Sequence, residues 1–253
     1  MIYDLQKASM WKRISAFLFD VILLAIVAVG LSFLLSTIFG YNNQTEKLDE
    51  YYKKYEAEYG ISFDITLEEY EALSAEQKTQ YDLAEKAWST DADVAYAYTL
   101  VLNLTLLITS FSILFAYLLL EFLVPLLFGN GQTLGKKIFG IALMRTNGVK
   151  VNAVSMFIRT VLGKYTIETM IPVFIVIMLY FNIVGIVQLA FLALIFLLQI
   201  VFVVTTRTNS AIHDMLASTV AVDMLSQMIF DSEEALLEYK KKMHAEAAQS
   251  STY

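Results

Sequence analysis

Between Thr169 and Thr206 lie 38 residues without one charged side chain. At about 1.5 Å per residue such a run would make a helix of roughly 57 Å. A bilayer core is roughly 30 Å thick. A single crossing cannot use that length, and a water-soluble domain has no place for it. The run is therefore expected to fold back as a hairpin of two spans. Asn182 and Gly185 are the natural break, because both residue types tolerate turn conformations that others avoid. Pro172, near the start, is expected to kink the first turn.

Two more apolar runs precede it. Ile14 to Phe39 carries only Asp20, and Tyr98 to Leu120 carries no charge. The expected spans are about 14–39, 98–120, 167–183 and 186–206. The fold class that follows is all-α: a polytopic membrane protein with a four-helix transmembrane bundle and an external helical loop. Composition agrees, with 17% charged residues against about 25% in soluble domains. Lys7, Lys12 and Arg13 resemble the start of a signal peptide. The 26-residue apolar run behind them is too long for one and no small-residue cleavage site follows, so a retained anchor is expected. The chain has no cysteine, which excludes disulfides, thiolate metal sites and thiol nucleophiles. With two histidines and no metal-ligand spacing, no cofactor and no enzymatic role are expected.

Basic residues near span ends set orientation. Lys7, Lys12 and Arg13 lie before the first span. Lys136, Lys137, Arg145, Lys150, Arg159 and Lys164 lie between the second and third, against Glu168 alone. Both segments belong in the cytoplasm. Segment 41–97 holds 14 acids and 5 basic residues and belongs outside. Four spans then leave both termini cytoplasmic in a multi-pass plasma-membrane protein. Its expected partners are the lipid bilayer, a second copy of itself and a protein at the external loop. Nucleic acid is not one of them.

The chain divides into a membrane domain over 8–224, the acidic loop 41–97 inserted in it, and a tail over 225–253. In the loop, Thr66-x-x-Glu69 and Ser74-x-x-Gln77 are capping-box patterns that open helices. Tyr51, Tyr52, Tyr55 and Tyr59 repeat at helical spacing, as do Tyr81, Ala84 and Trp88. A helical hairpin is expected, its aromatics resting on the headgroups. The tail reads as an exposed cytoplasmic helix, with Lys240, Lys241 and Lys242 offset by Glu233, Glu234 and Glu238.

A charge at mid-bilayer costs at least about 2.5–3.5 kcal/mol on insertion scales. Asp20 therefore needs a partner, a wet cavity or a proton. Arg13, seven positions earlier, is the nearest basic candidate on its helix. Glu121 closes the second span and reads as interfacial, or as a second acid of the same site. Thr105, Thr109 and Ser112 share one helix face, and Gln188 and Gln199 another. Such groups tie helices together by default. The stretch Gly131-Gln132-Thr133-Leu134-Gly135-Lys136-Lys137 lacks the glycine spacing and the Ser or Thr of a phosphate loop. It reads instead as a basic, glycine-hinged loop at the lipid surface. Ser155 to Lys164 reads as an interfacial helix with Met156, Phe157 and Val161 toward lipid.

These features together resemble the RDD family of membrane proteins. The resemblance rests on Lys12-Arg13-Ile14-x-Ala16-x-x-x-Asp20, on Tyr117-x-x-x-Glu121, on the run Gly131 to Lys137 with Gly140, on Arg145, Asn147-Gly148 and Arg159, and on His213-Asp214-x-Leu216-Ala217 with Thr219 and Val222. Arg13, Asp20 and Asp214 fall at the three positions that name the family. Gly131, Thr133, Gly135, Lys136 and His213 form its cytoplasmic motif. The resemblance implies a transport role, with sodium–proton exchange suggested for some members. Asp20 would then be the ion or proton site, with Arg13 its tuning partner. Asp214 would cap a helix or meet Arg13 across the bundle. The alternative expectation is a non-catalytic accessory protein that binds a partner through its external loop.

Overall fold

The computed structural model describes residues 5–180 and 185–250, with side chains to 248. Among these residues the chain is helical apart from one small sheet. In order come α1 (Met10–Ile38), α2 (Tyr41–Tyr59), α3 (Leu67–Ala72), α4 (Ala75–Thr90), α5 (Ala92–Phe128), α6 (Leu134–Ile138), β1 (Ile141–Arg145), α7 (Ala153–Tyr180), α8 (Ile186–Thr205), α9 (Ile212–Leu216), β2 (Thr219–Asp223) and α10 (Glu233–Ser250). Helices α1, α5, α7 and α8 are long and apolar enough to cross a membrane. The protein is an all-α polytopic membrane protein. Asn182 lies outside the described residues. Gly185 immediately precedes α8, and its N–H donates to the Gln188 side chain at 3.0 Å.

The third spanning helix begins at Ala153, well before 167. The interfacial helix expected over Ser155–Lys164 is continuous with this longer helix. Met156 does not face lipid; it is fully buried, while Phe157 is exposed. From Ile158 to Met170 this helix is wound as a π-helix, with i→i+5 bonding. A similar wide turn occupies Leu118–Leu123 of α5 and ends just before Pro125.

The chain forms two compact units whose boundaries fall within α1 and α5. One is Met1–Val29 with Ser112–Tyr253; the other is Gly30–Phe111. In the first unit, β1 pairs antiparallel with β2, from Ile141 opposite Asp223 to Arg145 opposite Thr219. Alternate residues of a strand face opposite ways. Ile141, Leu143 and Ala221 pack on one side with Ala16 and Met156; Ala142, Met144, Val220 and Val222 pack on the other. Both faces are covered, so the strands read as apolar runs without alternation. The tail helix α10 is not free. Its Leu236 is buried against Val149 and Phe230, and Glu233 pairs with Arg145 at 3.1 Å.

In the second unit, α3 and α4 open on Thr66 and Ser74, and both capping boxes are present. The aromatic residues pack on one another. Tyr52 stacks on Trp88 at 5.0 Å, and Phe63 meets the rings of Tyr52 and Tyr81 edge-on. Tyr55 is buried and donates its hydroxyl to Asp91 at 2.7 Å.

Candidate functional site

Asp20 is buried on α1, but Arg13 is not its partner. One carboxylate oxygen accepts the Thr133 hydroxyl and the other accepts the Gly135 N–H at 2.8 Å. Lys136 Nζ stands 3.7 Å from Asp20 and donates to Thr133 Oγ1 at 3.1 Å. Thr133 caps α6, so the same short turn that starts the helix presents a hydroxyl, an amide and an ammonium to one carboxylate. The approach depends on Gly135. A β-carbon there would lie 2.4 Å from the Ala16 carbonyl oxygen and 2.9 Å from the Asp20 carboxyl. The Gly131–Lys137 stretch is thus no loop at the lipid surface. Gln132, Thr133 and Gly135 are buried, and Gly131 packs under Leu143.

Glu121 is not solvated at an interface. It is buried, with Lys164 Nζ of α7 2.7 Å from its carboxylate. Its backbone is held by a related device. Pro125, four residues on, has no N–H to give to the Glu121 carbonyl. That carbonyl accepts the Thr160 hydroxyl of α7 at 2.9 Å instead, joining two spans.

Arg13 meets Asp214. Its Nη2 lies 3.7 Å from Asp214 Oδ2, and its Nη1 donates to the Thr208 carbonyl at 3.4 Å. Asp214 also accepts Arg159 Nε and Thr219 Oγ1, each at 3.0 Å. His213, beside it on α9, places Nδ1 2.7 and 2.9 Å from the two Glu168 oxygens. The imidazole fits because α7 has glycine opposite: a β-carbon on Gly163 would lie 2.5 Å from His213 Cβ. The π winding sets the rest. At about 3.6 residues per turn, Arg159 and Glu168, nine apart, would fall on opposite faces. In the wide helix Arg159, Lys164 and Glu168 all line the same cavity.

That cavity, about 530 Å³, is bordered by Arg13, Asp20, Tyr117, Glu121, Lys136, Arg159, Lys164, Glu168, His213 and Asp214. Its other wall is apolar and includes Phe17, Val21, Ile195, Phe196 and Val203; Gln199 of α8 also lines it and accepts the Ile212 N–H at 3.1 Å. Four acids thus face four lysine or arginine side chains across one space. Burial pushes the Lys136 ammonium down to about 8, although Glu121 and Asp20 act to hold its proton. Burial also lowers His213, against the pull of Asp214 and Glu168. For Asp214 burial works to raise the carboxyl, but Arg159, His213 and Arg13 together hold it below the usual carboxylate range. No group of three or more metal-ligating side chains occurs among the described residues.

The fold brings Arg13, Asp20, Glu121, Lys136, His213 and Asp214 around one cavity, with Thr133 and Gly135 behind the lining, bonded to Asp20, and Gly131 outside it. Sequence reasoning missed Arg159, Lys164 and Glu168 as members. The one signal was that Glu168 is the sole acid of an otherwise basic segment. The sequence profile of the RDD family matches residues 7–218, most of the chain. No curated protein and no solved structure matches it.

Proposed function

The chain belongs to the RDD family, and we propose that this member is a small transporter that exchanges a monovalent cation for a proton at Asp20. One observation carries the reading. The cation nearest the intramembrane carboxylate is a largely buried lysine, Lys136 at 3.7 Å, beside a cavity of about 530 Å³, and not a permanent guanidinium. An arginine in that place would stay charged at every working pH, whereas a buried lysine releases its proton readily. When Lys136 gives up its proton, Asp20 is left an unbalanced anion. A hard cation taking oxygen ligands can then replace the ammonium, with Glu121 as a further acid nearby. One positive charge enters as one leaves. Orientation follows the basic segments, with both termini in the cytoplasm.

Reconstitution tests this. Proteoliposomes carrying a pH-sensitive dye receive sodium or potassium pulses. Wild type should move protons; D20N should not, while still inserting. K136R keeps the charge but removes the releasable proton, and its flux should be lost as well. Undiminished flux in K136R sinks the exchange mechanism. Absent flux in well-incorporated wild type favours a second reading, an accessory protein that binds a partner through segment 41–97. That reading is supported by the segment's membership of a separate compact unit with a surplus of acids. Deleting 45–95 should then erase partner capture.

A further inference from the structure

We infer that His213 is a proton-binding site that decides whether Asp214 holds the first span: a proton on its Nε2 draws Asp214 Oδ2 to the imidazole and releases Arg13. The two oxygens of Asp214 are served unequally. Oδ1 accepts two hydrogen bonds of 3.0 Å, from Arg159 and Thr219. Oδ2 has two more distant cationic neighbours, Arg13 Nη2 at 3.7 Å and His213 Nε2 at 3.5 Å. Both aim at the same oxygen from different elements, Arg13 from α1 and His213 from α9.

The imidazole's other edge is fixed. Nδ1 faces both Glu168 oxygens, and the His213 backbone N–H donates to Glu168 at 2.9 Å. In the neutral ring Nδ1–H therefore points to Glu168, leaving a lone pair on Nε2 opposite a carboxylate oxygen. Two acceptors facing one another keep their distance. A proton on Nε2 turns that contact into a charge-assisted hydrogen bond, for which about 2.7–2.9 Å is usual. The ring cannot yield toward α7, because its β-carbon already sits against Gly163. The contraction must come from Asp214, away from Arg13. Arg13 keeps its weaker bond to Thr208.

The charged groups facing the imidazole are Glu168, Arg159 and Lys164 from α7, Asp214 from α9 and Arg13 from α1. Helix α8 contributes Gln199 and β2 contributes Thr219, neither of which titrates. Burial favours the neutral ring, so the device answers to acid. It does not depend on whether a cation moves at Asp20.

The chain has no cysteine and two histidines, which makes the test clean. Full-length protein carrying H244Q leaves His213 as the single histidine for ring-nitrogen NMR in nanodiscs. Spin labels on W11C and L216C, both exposed positions, report the separation of α1 and α9. As pH falls, the ring should take its proton and the label separation should shift with the same midpoint. R13Q should raise that midpoint by removing a neighbouring cation, and H213Q should abolish the separation change. A ring that stays neutral throughout the range in which the protein is folded overturns the inference. So does a ring that titrates while the separation stays constant. Should H213Q fail to insert, co-titration in the H244Q background still decides.

Discussion

In Gly30–Phe111, 14 acids and 5 basic residues are spread over α2, α3, α4 and the residues that flank them, where carboxylates cap helix ends and pair with neighbours a turn away. Lys53 and Asp49, for example, are i,i+4 partners with both side chains exposed. In the other unit, Asp20, Glu121, Arg159, Lys164 and Asp214 are buried, and their lysine, arginine or carboxylate partners lie 43 to 201 positions away. Water screens the first set and sets each pair's worth near zero. The second set is buried, so each member's state depends on its partner's presence. One unit carries charge for solubility, the other as an internal scaffold around a cavity.

Mutations should expose that difference, the largest effects coming from the buried set. R159L leaves Asp214 without its closest cation and should cost about 3–5 kcal/mol in unfolding measurements in detergent. Adding D214L should restore part of the loss, which would not happen if Arg159 acted alone. T160V removes the hydroxyl that donates to the Glu121 carbonyl, at about 1–3 kcal/mol. In the outer set the effects shrink. S74A removes the Ser74 cap and should cost about 1 kcal/mol; W11F leaves Trp88 as the sole tryptophan to report it.

A pH series sharpens the contrast. The Tyr55 hydroxyl and backbone N–H groups hold Asp91 below its ordinary 3.8. A depressed carboxylate stabilises the fold above its unfolded value, and that support is lost as pH falls through the lower folded value. Trp88 fluorescence should therefore show unfolding of this region at acid pH, shifted upward in Y55F. K53A should leave stability unchanged within error, because an exposed i,i+4 pair contributes little.

The spans were legible because length and absence of charge are local properties, and so were the caps at Thr66 and Ser74, where both partners lie within four residues. The pairing of charges was not. Asp20 stands seven positions from Arg13, yet it is Lys136 that reaches it, because Gly135 lets a distant turn press against Ala16. Arg159, Lys164 and Glu168 share a cavity only because the helix widens to π winding, and a reading at 3.6 residues per turn scatters them. The β1–β2 pair escaped notice for a different reason: with both faces covered, Ile141–Met144 shows no alternation to detect.

The pairing of β1 with β2 carries a consequence for the order of assembly. Residues 141–145 leave the ribosome before 219–223, and two spanning helices are made in between. Until then β1 has an unpaired edge, which is a template for wrong partners. Arg159 likewise enters its span before Asp214 exists. Closing so long a loop is slow, so the nascent chain must wait with an open strand and an uncompensated guanidinium. A chain truncated ahead of residue 214 should be held back by membrane quality control even though all four spans are already made.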